Sequence, residues 1–376
     1  TVPFPILLTV LVILGINGAM HSINSTDGWY AFRYTLLLPL VVFVLYYNVD
    51  LSARDMRLNL RIICIISALL GWLTLAFYLK TGIDRQVFGW PSENRLSGFF
   101  GLILPYVMVS FLISNKRNER WLWIWIFFGL GAGVLVAQTR AIMLTTIVAV
   151  FYISWMLRNW KAMWILLTAF GLAFLLASDL LLTRMLEMFG TGDTLTDWSN
   201  IGRLAIWAMC YDLLPQYYLF GMGINSFGPI TAVKYPFFLI PGRHPHNIYF
   251  EWTFNYGIFG TMAYIILIST VLWRSHQAII RLMIPTQDTS AGEQTALPVT
   301  RAKHLRAGRR PRLPDRSKNE AILLIGINAG IISMGVGCLV DNYINVPTIA
   351  VMFWTLLAYQ MILVRRLNTR CNTQDG

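Results

Sequence analysis

Three residues of this chain have side chains suited to transferring a group away from a phosphate: His246, Arg140 and Arg203. His246 lies in the stretch 242–252, Gly-Arg-His-Pro-His-Asn-Ile-Tyr-Phe-Glu-Trp, just before a long apolar segment. The N-terminus of a helix disfavours a protonated imidazole, and a neutral imidazole is the form that acts as a general base. The planar guanidinium group of arginine suits phosphate oxygens. The pattern therefore predicts a general base accompanied by two phosphate-binding cations.

Each of these assignments has an ordinary alternative. Arg140 opens an apolar segment, where an arginine often only extends its charge to the membrane surface. Against this reading, the positive-inside rule leaves few reasons for an arginine on the side opposite the basic loops. Arg203 falls in the first turn of a predicted helix, where a cation is disfavoured, but many surface arginines are merely solvated. His244 competes with His246 as the base. The two rings are expected to face opposite directions, and the place of His246 beside the helix favours it as the base.

Weaker candidates surround these three residues. Arg95 lies in Pro-Ser-Glu-Asn-Arg-Leu-Ser-Gly, where a salt bridge with Glu93 or Asp84 is an equal alternative. Asp341 closes an apolar run and could orient a histidine, pair with an arginine, or simply be a polar helix end. The candidates for substrate binding are Arg95, Asn247, Asp341 and His244.

The composition indicates the environment in which these residues work. The chain of 376 residues is 56% hydrophobic and 13% charged, a smaller share of charge than soluble domains carry. Many apolar runs approach the ~20 residues that a spanning helix needs. An all-α polytopic membrane protein is therefore predicted. The cysteines match no metal motif, so we expect neither a disulfide nor a metal site from Cys64, Cys210, Cys338 and Cys371.

About ten membrane spans are predicted, at roughly 3–20, 31–48, 61–79, 97–114, 121–139, 141–157, 162–182, 247–273, 320–340 and 347–364. Five basic segments fall on one side if every span crosses, and the positive-inside rule makes that side cytoplasmic. The longest, 274–318, holds ten Lys or Arg against three Asp or Glu. The net charge of +12 is thus an orientation signal. No nucleic-acid binding is predicted, since that requires a clustered basic face.

The segment between the seventh and eighth spans is the main part predicted outside the membrane. A helix is predicted from about 201 to 214, ended by Pro215. Its apolar face comprises Leu204, Trp207, Ala208, Tyr211 and Leu214. We expect this helix to lie on the membrane or to pack over the bundle. Residues 219–228 are predicted to form a glycine-rich turn, and they lack the Lys-Ser/Thr ending of a phosphate-binding loop.

The predicted organisation follows from these spans and charges. It comprises about seven transmembrane helices in 1–182, a periplasmic loop in 183–246, a transmembrane helix in 247–273, a basic cytoplasmic loop in 274–319 that is expected to be disordered, two transmembrane helices in 320–364 and a cytoplasmic tail in 365–376.

Several short motifs together resemble those of a known family. They are Gln138-Thr139-Arg140-Ala141 at a helix start, Gly202-Arg203-Leu204, and His246-Asn247 with Gly257 and Gly260, with weaker matches at Asn94-Arg95 and Asp341. At these residues the chain resembles the O-antigen ligase family, the WaaL-like members of the wider Wzy/ligase superfamily. Members of that family typically have twelve spans, and two further helices ahead of Thr1 would account for the difference.

The resemblance implies an inverting glycosyltransferase of the bacterial inner membrane that needs no metal or other cofactor and works on the periplasmic side. The implied donor is O-antigen on undecaprenyl pyrophosphate, and the implied acceptor is a sugar hydroxyl of lipid A–core. In this scheme His246 takes the acceptor proton, while Arg140 and Arg203 hold the pyrophosphate and stabilise its leaving charge. Membrane lipid is the other expected partner.

Three alternatives remain open on the sequence. An O-antigen or exopolysaccharide polymerase would use the same donor with a glycan acceptor. A protein O-oligosaccharyltransferase would resemble the chain near the histidine. A polysaccharide transporter or flippase would require ionisable residues at mid-membrane, whereas here they cluster near the ends of the spans.

Overall fold

The computed structural model describes residues 2–81, 93–114, 116–137, 140–161, 163–164, 168, 171, 198–236, 244–283 and 315–374. Within these ranges all regular structure is helical. The helices are α1 (Pro5–Met20), α2 (Ser25–Ala31), a π-helical stretch (Phe32–Leu37), α3 (Leu38–Asn48), α4 (Ala53–Thr81), α5 (Glu93–Ile113), α6 (Arg117–Ala137), α7 (Arg140–Leu157), α8 (Trp198–Tyr217), α9 (Phe227–Lys234), α10 (Ile248–Met283), α11 (Asp315–Gly337) and α12 (Pro347–Gln374).

The described helices confirm an all-α polytopic membrane protein. Seven of them are long and apolar enough to cross a membrane, counting the continuous stretch Ser25–Asn48 as one, and Pro5–Met20 and Leu144–Leu157 are shorter apolar helices. These nine match nine of the predicted spans. The remaining predicted span, 162–182, lies almost wholly outside the described residues.

Helices α5, α11 and α12 form the centre of the bundle. Between 78% and 83% of the residues in their apolar windows are buried, against 28% in α4, whose remaining apolar surface is available to lipid. A polar contact joins three elements in this centre: the Asn328 side chain of α11 donates to the Tyr152 hydroxyl of α7 at 3.0 Å, and Gln360 of α12 donates to Asn328. Such buried polar groups are satisfied only in one register of the helices.

The directions of the helices bring several ends together. Helix α11 runs antiparallel to α5, because Gly326 lies against Tyr106 and Gly330 against Leu102. It runs antiparallel to α7 as well, because Asn328 contacts Tyr152 and Gly337 lies against Thr145. The C-terminus of α11 therefore lies beside the N-termini of α5 and α7. Helix α10 begins there too, since the Ile248 backbone N–H donates to the Cys338 carbonyl at 3.0 Å. We call this end of the bundle the site end.

Helix α10 is broken at Gly257, whose backbone has φ 72° and ψ 175°. Only glycine adopts such a conformation readily. The break frees the Ile258 N–H, which donates to the Tyr218 carbonyl at 2.7 Å. A Cβ atom at this glycine would lie 2.1 Å from the Leu219 carbonyl oxygen. The predicted turn in 219–228 is present, and it packs directly against the broken helix.

Pro215 does not end helix α8, so that prediction was wrong. The helix runs on to Tyr217 with Pro215 inside it. Proline removes one backbone donor but leaves its carbonyl and those of its neighbours able to accept. The Leu214 carbonyl still accepts from the Tyr218 N–H at 2.9 Å, which continues the hydrogen-bonding pattern past the proline.

Only part of the predicted apolar face of α8 packs on the bundle, namely Trp207 and Leu214. Leu204 and Tyr211 are 65% and 66% exposed. The buried face is a different one, formed by Ile206, Met209, Cys210 and Leu213. This helix is apolar on two sides, so helical spacing alone could not distinguish the side that packs from the side left for the membrane surface.

Candidate active site at the helix ends

The two histidines lie in a tight turn ahead of α10. His246 adopts a left-handed backbone conformation with φ 50°, which turns its side chain back toward its neighbour. The ring centroids of His244 and His246 are 4.0 Å apart. The expectation that the two rings face opposite directions is therefore wrong, because residues two apart lie on one face even of an extended segment.

Helix α8 is tied to this turn by one hydrogen bond. The Trp207 indole N–H donates to the Pro245 carbonyl, between the two histidines, at 3.1 Å. Arg203 lies one helical turn before Trp207 and is partly buried. Residues four apart lie on the same helix face, so this contact turns Arg203 toward the histidines.

Asn247 holds the turn in place. Its side-chain oxygen accepts from the Tyr249 and Phe250 backbone N–H groups at 2.9 and 3.2 Å, and thereby caps α10. Its side-chain amide donates to the Leu339 carbonyl at 2.9 Å. Asn247 was predicted to bind substrate, but both ends of its side chain are used within the protein. We therefore regard it as a positioning residue.

Asp341 faces His246 from the loop between α11 and α12. The Nδ1 atom of His246 and the Oδ1 atom of Asp341 are 3.9 Å apart, with the side chains 28% and 7% exposed. This distance is too long for a hydrogen bond but close enough for strong electrostatic contact at a buried carboxyl group. Of the three roles suggested by the sequence, orienting a histidine fits this geometry.

Charges around Asp341 keep it ionised despite its burial. Burial favours the neutral form, but the neighbouring His246 ring, the Asn342 backbone N–H and the charge of Arg203 outweigh it. The pKa of Asp341 is therefore held below its usual value.

Burial, followed by the adjacent His246, lowers the pKa of His244 to about 4. His244 is thus neutral at physiological pH but a weak base. A general base works best with a pKa near the working pH. His244 is consequently the poorer candidate of the two.

Arg140 and Arg95 lie on helices that begin at the site end, but their side chains are outside the described residues. Arg140 is the first residue of α7. Arg95 lies one turn before Gly98 of α5, and a Cβ atom on that glycine would lie 2.5 Å from the Tyr343 ring. Tyr343 is two residues from Asp341. The backbone therefore places both arginines at the site end, while the positions of their guanidinium groups remain predictions.

The sequence reasoning did not assign roles to Asn342 and Asn345. Both donate hydrogen bonds to the carboxyl group of Glu251, which is buried on α10 one turn after Asn247. This contact locks the loop that carries Asp341 onto the helix that carries the histidine turn. The polar run Asp-Asn-Tyr-Ile-Asn between two apolar spans, residues 341–345, was the available signal.

Several polar atoms at the site are buried without a hydrogen-bond partner among the described residues. They are His244 Nδ1, His246 Nδ1, Asp341 Oδ2, Asn342 Oδ1 and the Tyr343 hydroxyl. Buried polar atoms are normally paired, and a concentration of unpaired ones is typical of a site that receives a polar ligand. Within the part of the chain that is described, no group of three or more His, Cys, Asp or Glu is placed to hold a metal ion, and Cys64, Cys210 and Cys338 are buried free thiols.

The described part of the chain is thus a multi-pass helical membrane protein with a histidine, an ionised carboxylate and an arginine gathered at one end of its bundle. Residues 125–265 match the family model described as O-antigen ligase. This match confirms, over that part of the chain, the resemblance predicted from the motifs. The matched segment contains Arg140, Arg203 and His246, whereas Arg95 and Asp341 lie outside it. The family consists of glycosyltransferase-like enzymes, ligases and polymerases. A search of curated proteins found no match to the chain.

Proposed function

We propose that the chain is an O-antigen ligase of the bacterial inner membrane. It would transfer O-antigen from undecaprenyl pyrophosphate to a sugar hydroxyl of lipid A–core, on the periplasmic side. The observation that carries the proposal is the pairing of His246 with Asp341 at the end of the bundle where Arg203 also lies. The family match supports the same class of chemistry.

His246 acts as the general base in this proposal. With the proton on Nδ1 directed at Asp341, Nε2 is the basic nitrogen that takes the proton of the acceptor hydroxyl. The hydroxyl oxygen then attacks the anomeric carbon, the bond from that carbon to the pyrophosphate oxygen breaks, and the configuration inverts. Asp341 stabilises the imidazolium ion that forms. The 3.9 Å separation would shorten as substrate closes the site.

Arg203, together with Arg140, holds the pyrophosphate and stabilises the charge it gains on leaving. Fixed guanidinium groups are suited to this because they bind phosphate oxygens in pairs and keep their charge. The N-termini of α5, α7 and α10 also meet at the site end. Their partial positive charges favour an anionic group there.

A groove beside the site supports a lipid-linked donor. It has a volume of about 650 Å³, lies between α8 and α10, and extends from Asn247 along an apolar lining that includes Tyr211, Tyr218, Phe250 and Ile258. A polyprenyl chain in this groove would bring its pyrophosphate to the helix ends. The exposed apolar face of α8 adjoins the same groove.

The test is deletion of the gene in its host, followed by lipopolysaccharide gels and an assay of undecaprenyl-linked polymer. We expect loss of capped lipopolysaccharide with the lipid-linked polymer retained, and restoration by the wild-type gene but not by one carrying His246→Ala. Loss of the polymer itself would instead identify a polymerase. Unchanged amounts of both would reject a role in this transfer.

A further inference from the structure

A cavity of about 400 Å³ lies at the end of the bundle opposite the site end. It opens between the C-terminal parts of α10 and α12 and the end of α3. Its lining includes Tyr47, Arg274, Gln277, Arg281, Arg365 and Asn368. Arg274 and Arg281 follow the break at Gly257 by 17 and 24 residues, so at ~1.5 Å per residue the cavity lies roughly 25–35 Å along the helix from the break. It is therefore distinct from the candidate active site.

Two of the arginines are held in place by aromatic rings. The guanidinium carbon of Arg365 lies 4.8 Å from the centre of the Tyr47 ring, and that of Arg274 lies 5.0 Å from the centre of the Phe4 ring. Such contacts orient a guanidinium group without neutralising its charge. Both groups keep their capacity to bind an anion.

The third arginine is oriented by a neutral partner. Arg281 donates to the side-chain oxygen of Asn368 at 2.9 Å. Among the described residues no carboxylate forms an ion pair with Arg274, Arg281 or Arg365, although the neighbouring Arg366 pairs with Asp50. Three like charges around one cavity repel each other, and a bound anion would remove that repulsion.

Exposed aromatic side chains indicate the depth of this cavity in the membrane. Trp273 and Trp155 are 62% and 57% exposed, and both stack with the His276 ring, at 6.5 and 5.8 Å between centroids. Exposed tryptophans on membrane helices concentrate at the headgroup level. Trp273 immediately precedes Arg274, so the cavity opens where lipid headgroups lie.

We propose that this cavity binds the phosphate headgroup of an anionic phospholipid from the surrounding leaflet. Arginine forks match phosphate oxygens, and basic pockets between transmembrane helices recognise anionic headgroups. The bound phosphate would bridge Arg274 and Arg281 of α10 to Arg365 of α12. The acyl chains would lie along the outer surfaces of α3 and α10.

The experiment uses the full chain purified in detergent. Native mass spectrometry measures retention of phosphatidylglycerol against phosphatidylcholine, and thermal unfolding is followed with each lipid or with soluble glycerol phosphate. The test variant is Arg281→Gln with Arg365→Gln. Arg117→Gln is the matched control, since Arg117 is an exposed arginine of another basic segment. Single variants replace the double variant if it does not elute as one species.

We expect wild type and Arg117→Gln to retain phosphatidylglycerol preferentially and to melt at a higher temperature in its presence. The pocket variant should bind it at least about tenfold more weakly, the loss expected when charged hydrogen bonds are removed. Equal retention by the pocket variant and the control would overturn the proposal. A stabilisation by glycerol phosphate equal to that by phosphatidylglycerol would also overturn it, because the site would then take a free anion.

Discussion

The Nδ1 atom of His246 lies 3.9 Å from the Oδ1 atom of Asp341, and the two residues belong to different loops at the same end of the bundle. The pair is held by Asn247, which joins the histidine turn to Leu339, and by Glu251, which binds the loop after α11. Two flanking anchors therefore keep the base and the carboxylate beside each other. Preorganisation of this kind is what an acid–base step requires.

Replacement of His246 by alanine is expected to reduce transfer by about 10²–10⁴-fold, the usual cost of losing a general base. Binding of the lipid-linked donor should be retained, because the arginines remain. His244→Ala should have a smaller effect, since His244 is the poorer base. The measurement is a reconstituted transfer assay with a donor-binding assay on folded protein, and His21→Ala, at an exposed position, is the control. Near-normal transfer by His246→Ala would shift the role of base to His244 or Glu251.

Asp341 is expected to act through His246 rather than on its own. Asp341→Asn should lower kcat by about 10²–10⁴-fold, as loss of an orienting carboxylate does in catalytic triads. Combined with His246→Ala, it should cause little further loss, because residues acting as one unit are not additive. If the fold reduction in kcat of the double variant equals the product of the two single reductions, the two residues act independently and this coupling is contradicted.

Arginine should not be replaceable by lysine at the phosphate-binding positions. Arg203→Lys and Arg140→Lys are expected to impair transfer nearly as much as the alanine variants, since an ammonium group cannot form paired bonds to a phosphate. Donor binding should weaken while acceptor binding is spared. Lys234→Ala serves as the control on the same segment, because Lys234 forms an exposed ion pair with Asp212 at 2.9 Å. Near-normal transfer by both lysine variants would argue against a pyrophosphate clamp.

Gly257→Ala is expected to lower thermal stability and to disturb the attachment of α8 to α10. The left-handed backbone costs alanine about 1–3 kcal/mol, and the added Cβ atom would meet the Leu219 carbonyl at 2.1 Å. Gly131→Ala is the matched control, because a Cβ atom there meets nothing within 4 Å. That change should be neutral or stabilising by about 0.5–1 kcal/mol. Equal melting temperatures for the two variants would refute the argument.

Stability should fall as the pH is lowered from about 6.5 to about 4. The pKa of His244 is about 4 in the folded protein, below its ordinary value of 6.5, so the unfolded chain binds more protons in this window. Because the pKa of Asp341 is also lowered in the folded protein, protonation of Asp341 reduces stability further at still lower pH. Thermal unfolding of the purified protein across this range should show a shallower dependence for His244→Gln than for wild type. If the melting temperature of the variant depends on pH as steeply as that of wild type, His244 is not the source of the pH dependence.

The sequence by itself determined the class of fold and the residues most concerned with chemistry. Apolar runs of spanning length become helices because only internally hydrogen-bonded backbone is stable in lipid, so their number and place could be read locally. The motifs around Arg140, Arg203 and His246 could also be read from short stretches of sequence, and the family match covers them. These features depend on short stretches of chain.

Only the tertiary structure decided which residues meet. The left-handed backbone at His246 brings its ring onto His244, and the loop after α11 brings Asp341 to Nδ1. The choice between the two apolar faces of α8 was made by its packing on α10, not by its own periodicity. Glu251 accepts hydrogen bonds from Asn342 and Asn345, which lie in the loop between α11 and α12. Such contacts join residues far apart in the chain, and they follow from helix directions and packing that no local pattern encodes.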